Sequence, residues 1–239
     1  MKRIRGFTLI ELAIVLIIIT ILIGGLAMPL SAQIQARRIA ETKKTLEEAR
    51  EAIIGFAMTH NGTPMTNRRL PCPDISGDGT EDLIGLRCAN SHGFLPWVDL
   101  GVGYQDAWGN RLRYAVDRDL ADPNKGFAKA VPTAFPALIV CETHSCDDHV
   151  ADDLAFVLIS QGPNGRGAQN INNAWGILQA APTGPDEASN LADDENGQYV
   201  SRSATKADNI NGEFDDLLVW VSYSLLVAKI CPTGSDCAP

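Results

Sequence analysis

The chain has 239 residues, 45% of them apolar, and a net charge of −9 at pH 7, so it can bury one core of ordinary size. The charge is uneven: the first 50 residues carry eight basic and four acidic side chains, +4, which leaves −13 for the remainder. So acidic a body argues against nucleic-acid binding.

The sequence opens with a short basic leader, Met1 to Gly6, that contains Lys2, Arg3 and Arg5. An apolar run follows from Phe7 to Pro29, with Glu11 as its single charge. A run of that length can cross a bilayer. A carboxylate inside such a span costs roughly 2.5–3.5 kcal/mol on insertion scales, which marks Glu11 as functional. A buried carboxylate needs a partner, and the run offers no cation, so a second copy of the chain is the expected source. The leader charges place the N-terminus on the cytoplasmic side. A secretory signal is the competing reading, and Gly24 to Met28 resemble its cleavage site. Its apolar core, however, is shorter and rarely carries Glu.

The same helix is expected to continue past the membrane. Leu46, Ala49, Ile53 and Phe56 recur at helical spacing, with Lys43, Lys44, Glu47, Glu48, Arg50 and Glu51 on the other face. Pro29 predicts a kink or local melting, and Asn61-Gly62-Thr63-Pro64 a stop. Residues 61–110 are loop-rich. Strands are expected at Leu112–Val116, Ala137–Cys141, Leu154–Ser160 and Leu217–Val221; the third is continuously apolar and reads as a central strand. Residues 161–214 are dominated by Gly, Asn, Asp, Pro and Ser, a functional, metal-tied or partly disordered loop. Ser222 is placed to cap a short final helix through Ile230. On the translocated side the six cysteines read as disulfides. Of fifteen pairings, the short spacings favour Cys72–Cys88, Cys141–Cys146 and Cys231–Cys237.

Arg5-Gly6-Phe7-Thr8-Leu9-Ile10-Glu11, followed by the apolar helix, resembles the N-terminus of the type IV pilin family, which includes the pseudopilins of type II secretion. Three later segments extend the resemblance to major pseudopilins. They are Asp106-Ala107-Trp108-Gly109-Asn110 with Tyr114, Ser160-Gln161-Gly162-Pro163-Asn164-Gly165, and Phe214-Asp215-Asp216-Leu217 with Trp220. The departures are the Cys72–Cys88 insertion, the 166–213 loop and the cysteine-bearing tail; they suit a minor or specialised subunit.

The resemblance implies an α+β, pilin-like fold, a long N-terminal transmembrane helix packed on an antiparallel sheet with disulfide- and metal-tied loops. It divides the chain into a leader (1–6), the transmembrane and assembly half of the helix (7–29), its amphipathic half (30–60) and a periplasmic domain (61–239). A prepilin peptidase would cut between Gly6 and Phe7, and the new Phe7 amine would be methylated. Glu11 would then meet the Phe7 ammonium of a neighbouring subunit. The implied setting is the bacterial inner membrane, crossed once, and then a filament. The implied partners are other pilin or pseudopilin subunits, the peptidase and an inner-membrane assembly platform. Three readings remain open: a type II secretion pseudopilin, a minor pilin of a type IV pilus, and a membrane-tethered periplasmic ligand-binding module.

Two candidate calcium sites stand out. Asp74, Ser76 and Asp78 alternate like the first half of an EF-hand loop, with Gly79 sixth and Asp82 ninth, but Gly85 occupies the place of the bidentate Glu. Asp215 and Asp216 match the segment for which the resemblance implies a structural Ca²⁺. Strand neighbours face opposite sides, so one ion takes both only if one turns inward. Further ligands are expected from Asp193, Asp194, Glu195, Asn196, Asp208, Asn209 and Asn211. The competing reading of the first site is a polar turn held by flanking prolines and a Cys72–Cys88 bridge, and that of the second is side-chain capping of backbone at a turn. Cys141, His144, Cys146 and His149 have tolerable zinc spacing, but a disulfide fits the oxidising side better. No catalytic residue is expected: Ser160 lacks the preceding glycine of a nucleophile elbow, and Gly162 to Gly167 lack the Lys-Ser/Thr ending of a phosphate loop.

Overall fold

The computed structural model describes residues 8–59, 68–123, 125–129, 138–191 and 197–230, with backbone alone at 24–29, 128 and 129. Contacts divide the chain into two units, 1–40 and 41–239. In chain order the elements are α1 (Leu9–Thr59), β1 (Leu83–Ile84), β2 (Arg87–Cys88), β3 (His92–Phe94), α2 (Trp97–Leu100), β4 (Arg113–Val116), α3 (Arg118–Ala121) and α4 (Gly126–Lys129). They continue with β5 (Leu138–Cys141), β6 (His149–Ser160), α5 (Pro185–Leu191), β7 (Gln198–Val200), β8 (Leu217–Ser222) and α6 (Tyr223–Ile230).

The first unit is helical from Leu9, and its apolar side chains from Leu9 to Ile23 are exposed. Thr8 and Glu11 start the helix as a reciprocal capping box. Thr8 N and Oγ1 each donate to Glu11 Oε2 at 2.8 Å, and Glu11 N donates to Thr8 Oγ1 at 3.3 Å. Gly6 and Phe7 lie outside the described residues. The backbone stays helical through position 29, so the local melting expected there is absent. The loss of one proline N–H removes a single rung of a 51-residue ladder. Among the described residues no helix is long and apolar enough to cross a membrane. Part of the expected 7–29 span, Phe7 and the side chains of 24–29, is not described.

The second unit is a mixed α+β body. The expected apolar stripe of α1 is its buried face: Leu46, Ala49, Ile53, Phe56 and Ala57 have almost no exposed surface. The outward face carries ion pairs such as Lys44–Glu48 and Arg50–Glu47. The four expected strands are present as β4, β5, β6 and β8, each within a few residues of its expected bounds. β6 is the organising strand. Its Leu154 pairs with both Leu138 of β5 and Ser222 of β8, and its Val157 pairs with both Ala115 of β4 and Trp220 of β8. Therefore β4 and β5 lie end to end along one edge of β6, and β8 occupies the other. The pairing slips near Asp153, a non-glycine residue at φ 51°, as at a bulge.

From Leu154 to Ser160 both faces of β6 are buried, which is why the sequence there does not alternate. Phe156 and Leu158 pack with Tyr114, Val221 and the α1 stripe, whereas Val157 and Ile159 pack with Ala115, Val140 and Tyr199. The resemblance implies an antiparallel sheet, and the structure departs from that: β7 pairs with β5 in parallel. A parallel partner requires a crossover of a dozen or more residues, and the segment between them, which includes β6 and α5, provides it. Ser222 accepts from Leu225 N at 3.4 Å at the start of α6, as expected of its cap.

The Cys72–Cys88 and Cys141–Cys146 disulfides are formed. Cys231 and Cys237 lie outside the described residues. Ile53→Ala opens a cavity under the sheet and is expected to lower unfolding free energy by about 2–5 kcal/mol. Lys44→Ala, on the outer face, should change it by less than about 0.5 kcal/mol. Denaturant titration of the full chain in detergent distinguishes the two; equal effects would refute this assignment of faces.

Candidate metal centre

The loops that surround the sheet are held by polar side chains, and Asp106 is the first anchor. Its Oδ1 accepts from Trp108 N and Asn110 N, both at 2.9 Å. Its Oδ2 accepts from Ser160 Oγ at the end of β6 (2.7 Å) and from Asn110 Nδ2 (3.2 Å). Gly109, at φ 84°, closes this turn. Asn110 Oδ1 then accepts from Gln179 Nε2 (2.6 Å) and Asn170 Nδ2 (3.0 Å), and its Nδ2 donates to Gly162 O (3.4 Å). Ala107 N donates to buried Thr42 Oγ1 of α1 at 3.1 Å. The Asp-Ala-Trp-Gly-Asn segment is thus a hub that joins α1, β6 and two long loops.

The 74–82 segment uses its oxygens on its own backbone. Buried Asp74 accepts from Gly77 N (2.6 Å) through Oδ1 and from Gly79 N (2.8 Å) through Oδ2. Burial still raises its pKa above the ordinary value. Asp78 caps Thr80 N at 2.8 Å, and Asp82 caps Ile75 N (2.6 Å) and Ser76 N (2.8 Å). Ser76 Oγ donates to Asp74 Oδ1 at 3.4 Å. Among the described residues, two groups of His, Cys, Asp or Glu are close enough to share a metal, and neither includes these.

The first of these groups contains Asp215, Asp216 and Glu187, each offering one oxygen within 4.8 Å of the others. Residues 215 and 216 precede β8 and belong to no strand, and each brings an oxygen to the same cluster. Glu187 comes from the first turn of α5 and is buried. Its Oε1 accepts from Asp215 N (3.1 Å) and Asn164 Nδ2 (2.9 Å). Asn164 N donates to Asp215 Oδ2 at 3.1 Å, and Asn190 Nδ2 donates to Asp216 Oδ2 at 2.9 Å. Glu187 Oε2 and Asp215 Oδ1 are buried and have no hydrogen-bond partner among the described residues. Gly162, at φ 57°, lies so close that a Cβ there would fall 2.2 Å from Asp215 O. The glycine of the Gly-Pro-Asn-Gly turn is thus the residue that lets this turn approach.

Three carboxylates so placed repel one another. Burial, and then the Glu187 charge, push the Asp215 pKa up to about 7. Burial raises Glu187 and carries Asp216 well above the carboxylate range. Orphaned carboxylate oxygens in a largely buried site fit a hard divalent cation such as Ca²⁺. Glu187 was not expected from the sequence, which pointed to the 193–211 loop. Of those residues, 193–196 lie outside the described residues, and Asn209 Oδ1 caps Asn211 N at 2.9 Å. The available signal was Pro185-Asp186-Glu187, a proline followed by acids that reads as a helix start.

The second group is Cys141, Cys146 and His149. The two sulfurs are bonded to each other, so neither is a thiolate, and the zinc spacing has no zinc chemistry behind it. His149 Nδ1 instead meets Asp152 Oδ1.

A pH dependence follows from Asp215. Its folded pKa of about 7 exceeds its ordinary value of 3.8. The stability it contributes is therefore fully present below the lower value and lost as pH rises through the upper one. In chelator, the Tm should fall as pH is raised from about 5 to about 8, and added Ca²⁺ should flatten that dependence. A Tm in chelator that holds constant over this range would contradict the electrostatics described.

Residues 1–27 match the family model described as the prokaryotic N-terminal methylation motif. No curated protein matches the chain, and no solved structure does. The matched segment includes the Thr8–Glu11 box that opens α1. The chain carries at its N-terminus the prepilin-type cleavage and methylation motif of type IV pilins and pseudopilins.

Proposed function

We propose that the chain is a filament subunit of the pseudopilin kind, working in a type II secretion-type assembly. The methylation motif, with Glu11 three residues into the first helix, is the observation that carries this reading. In this proposal the leader is removed after Gly6, the Phe7 amine is methylated, and residues 7–29 anchor the subunit in the inner membrane. Assembly brings the Phe7 ammonium of one copy to Glu11 of the next, so the charge of a carboxylate in an apolar environment is neutralised only in register. The exposed apolar face from Leu9 to Ile23 then packs against the same segment of neighbouring copies. The function is mechanical, and no side chain is assigned chemistry. The long excursion between β6 and β8 and its two disulfide-tied neighbours favour a specialised place in the filament, as a minor pilin also occupies.

The cation at Glu187, Asp215 and Asp216 is part of the same proposal, as a brace for that excursion. Ca²⁺ at about 100 times its Kd should stabilise the chain by about 2.7 kcal/mol. Glu187→Gln should abolish the Ca²⁺-dependent rise in Tm, and an unchanged rise would remove Glu187 from the site. For the N-terminus, Glu11→Ala should leave cleavage intact and eliminate incorporation into filaments. Intact-mass analysis reads cleavage as a chain that begins at methylated Phe7, and sheared-filament yield reads assembly. A normal filament yield from Glu11→Ala would sink the registry mechanism.

A further inference from the structure

The Cys141–Cys146 loop contributes no ligand to the carboxylate cluster, yet two chains of contacts lead from it to that cluster. The disulfide closes a turn across five positions and holds Cys146 at φ 57°, a left-handed conformation that non-glycine residues seldom adopt. Within the turn, His144 directs its backbone N (3.0 Å) and its Nδ1 (2.9 Å) to Asp186 Oδ1. Asp186 is fully buried, and its Oδ2 accepts from Arg202 Nε at 2.6 Å. Arg202 lies over the Phe214 ring at 4.7 Å and donates to Thr205 Oγ1 at 2.7 Å. Asp186 immediately precedes Glu187, and Phe214 immediately precedes Asp215. One closed loop is thereby tied, through two routes, to two of the three carboxylates.

We propose that the Cys141–Cys146 disulfide preorganises the divalent-cation site of Glu187, Asp215 and Asp216, so that the chain binds the cation tightly only when this loop is closed. The proposal rests on the reading of those three carboxylates as a cation site. With the loop open, His144 no longer holds Asp186, and α5 and the 202–214 segment gain freedom that cation binding must then remove. Groups that orient metal ligands from behind typically change affinity by about 10–100-fold.

The test is calorimetric titration of the full-length chain in detergent with Ca²⁺ alone. Wild type should bind, and Glu187→Gln should not. The double variant C141S/C146S should bind at least about tenfold more weakly, within the range for such supporting groups. C72S/C88S, which opens the other disulfide, should bind as wild type does. His144→Ala should weaken binding by itself and add little in the C141S/C146S background, because both changes act through one contact. Wild-type affinity in C141S/C146S would overturn the proposal while leaving the site intact. If C141S/C146S does not fold, His144→Ala, which keeps both disulfides, decides: unchanged affinity overturns the coupling. Absence of binding to wild type would refute the cation site itself, and the coupling with it.

Discussion

A strand that is apolar on both faces and bonded on both edges has no freedom left, and β6 is such a strand. Its two faces require two layers of apolar cover: the α1 stripe with Tyr114 and Val221 on one, and Val140 with Tyr199 on the other. Its edges require β8 opposite β4 and β5. The amphipathic half of α1 is therefore positioned by the sheet, and its ion pairs on the outer face contribute little. Stability in this unit comes mainly from area removed from water, in a core where β6 and the α1 face meet side chains such as Leu70, Leu95, Leu120 and Leu226.

The end of β6 converts that apolar order into polar order. Ser160 is buried and donates to Asp106, so the position of the last strand residue fixes the Asp106 hub. The hub fixes Asn110, and Asn110 holds the 162 turn and the 170–179 loop. The turn in turn supports Asp215 through the absence of a side chain at Gly162. A long excursion with few apolar residues is thus ordered by a relay of hydrogen bonds that begins in the core. Such a relay is only as strong as its least satisfied member, and among the described residues both polar side-chain atoms of Gln161 and the two orphaned carboxylate oxygens are buried without a partner.

Periodic features were legible in the sequence and contingent ones were not. Leu46, Ala49, Ile53 and Phe56 announce a buried helix face because the spacing of 3.6 leaves few alternatives, and the unbroken 154–159 run announces a strand covered on both sides. The close cysteine spacings gave two pairings correctly. β7 has three residues, too few for a pattern, and its parallel pairing depends on a distant crossover. Glu187 lies 28 positions before Asp215 in a segment with no period, so its approach is a tertiary fact. The 74–82 segment shows how one pattern fits two outcomes. Alternating oxygens around glycines can surround an ion or cap the amides that the glycines expose, and the described geometry has Asp74 capping Gly77 and Gly79.

The capping box at the start of α1 gives Thr8 a role that the motif alone does not suggest. Glu11 already has two donors within its own chain, both from Thr8. If a neighbouring amine is to take this carboxylate, it competes with an occupant. In the proposed assembly Thr8 would then be a placeholder: it lets a lone subunit hold the acid in a hydrogen-bonded state, which the arriving amine has to displace.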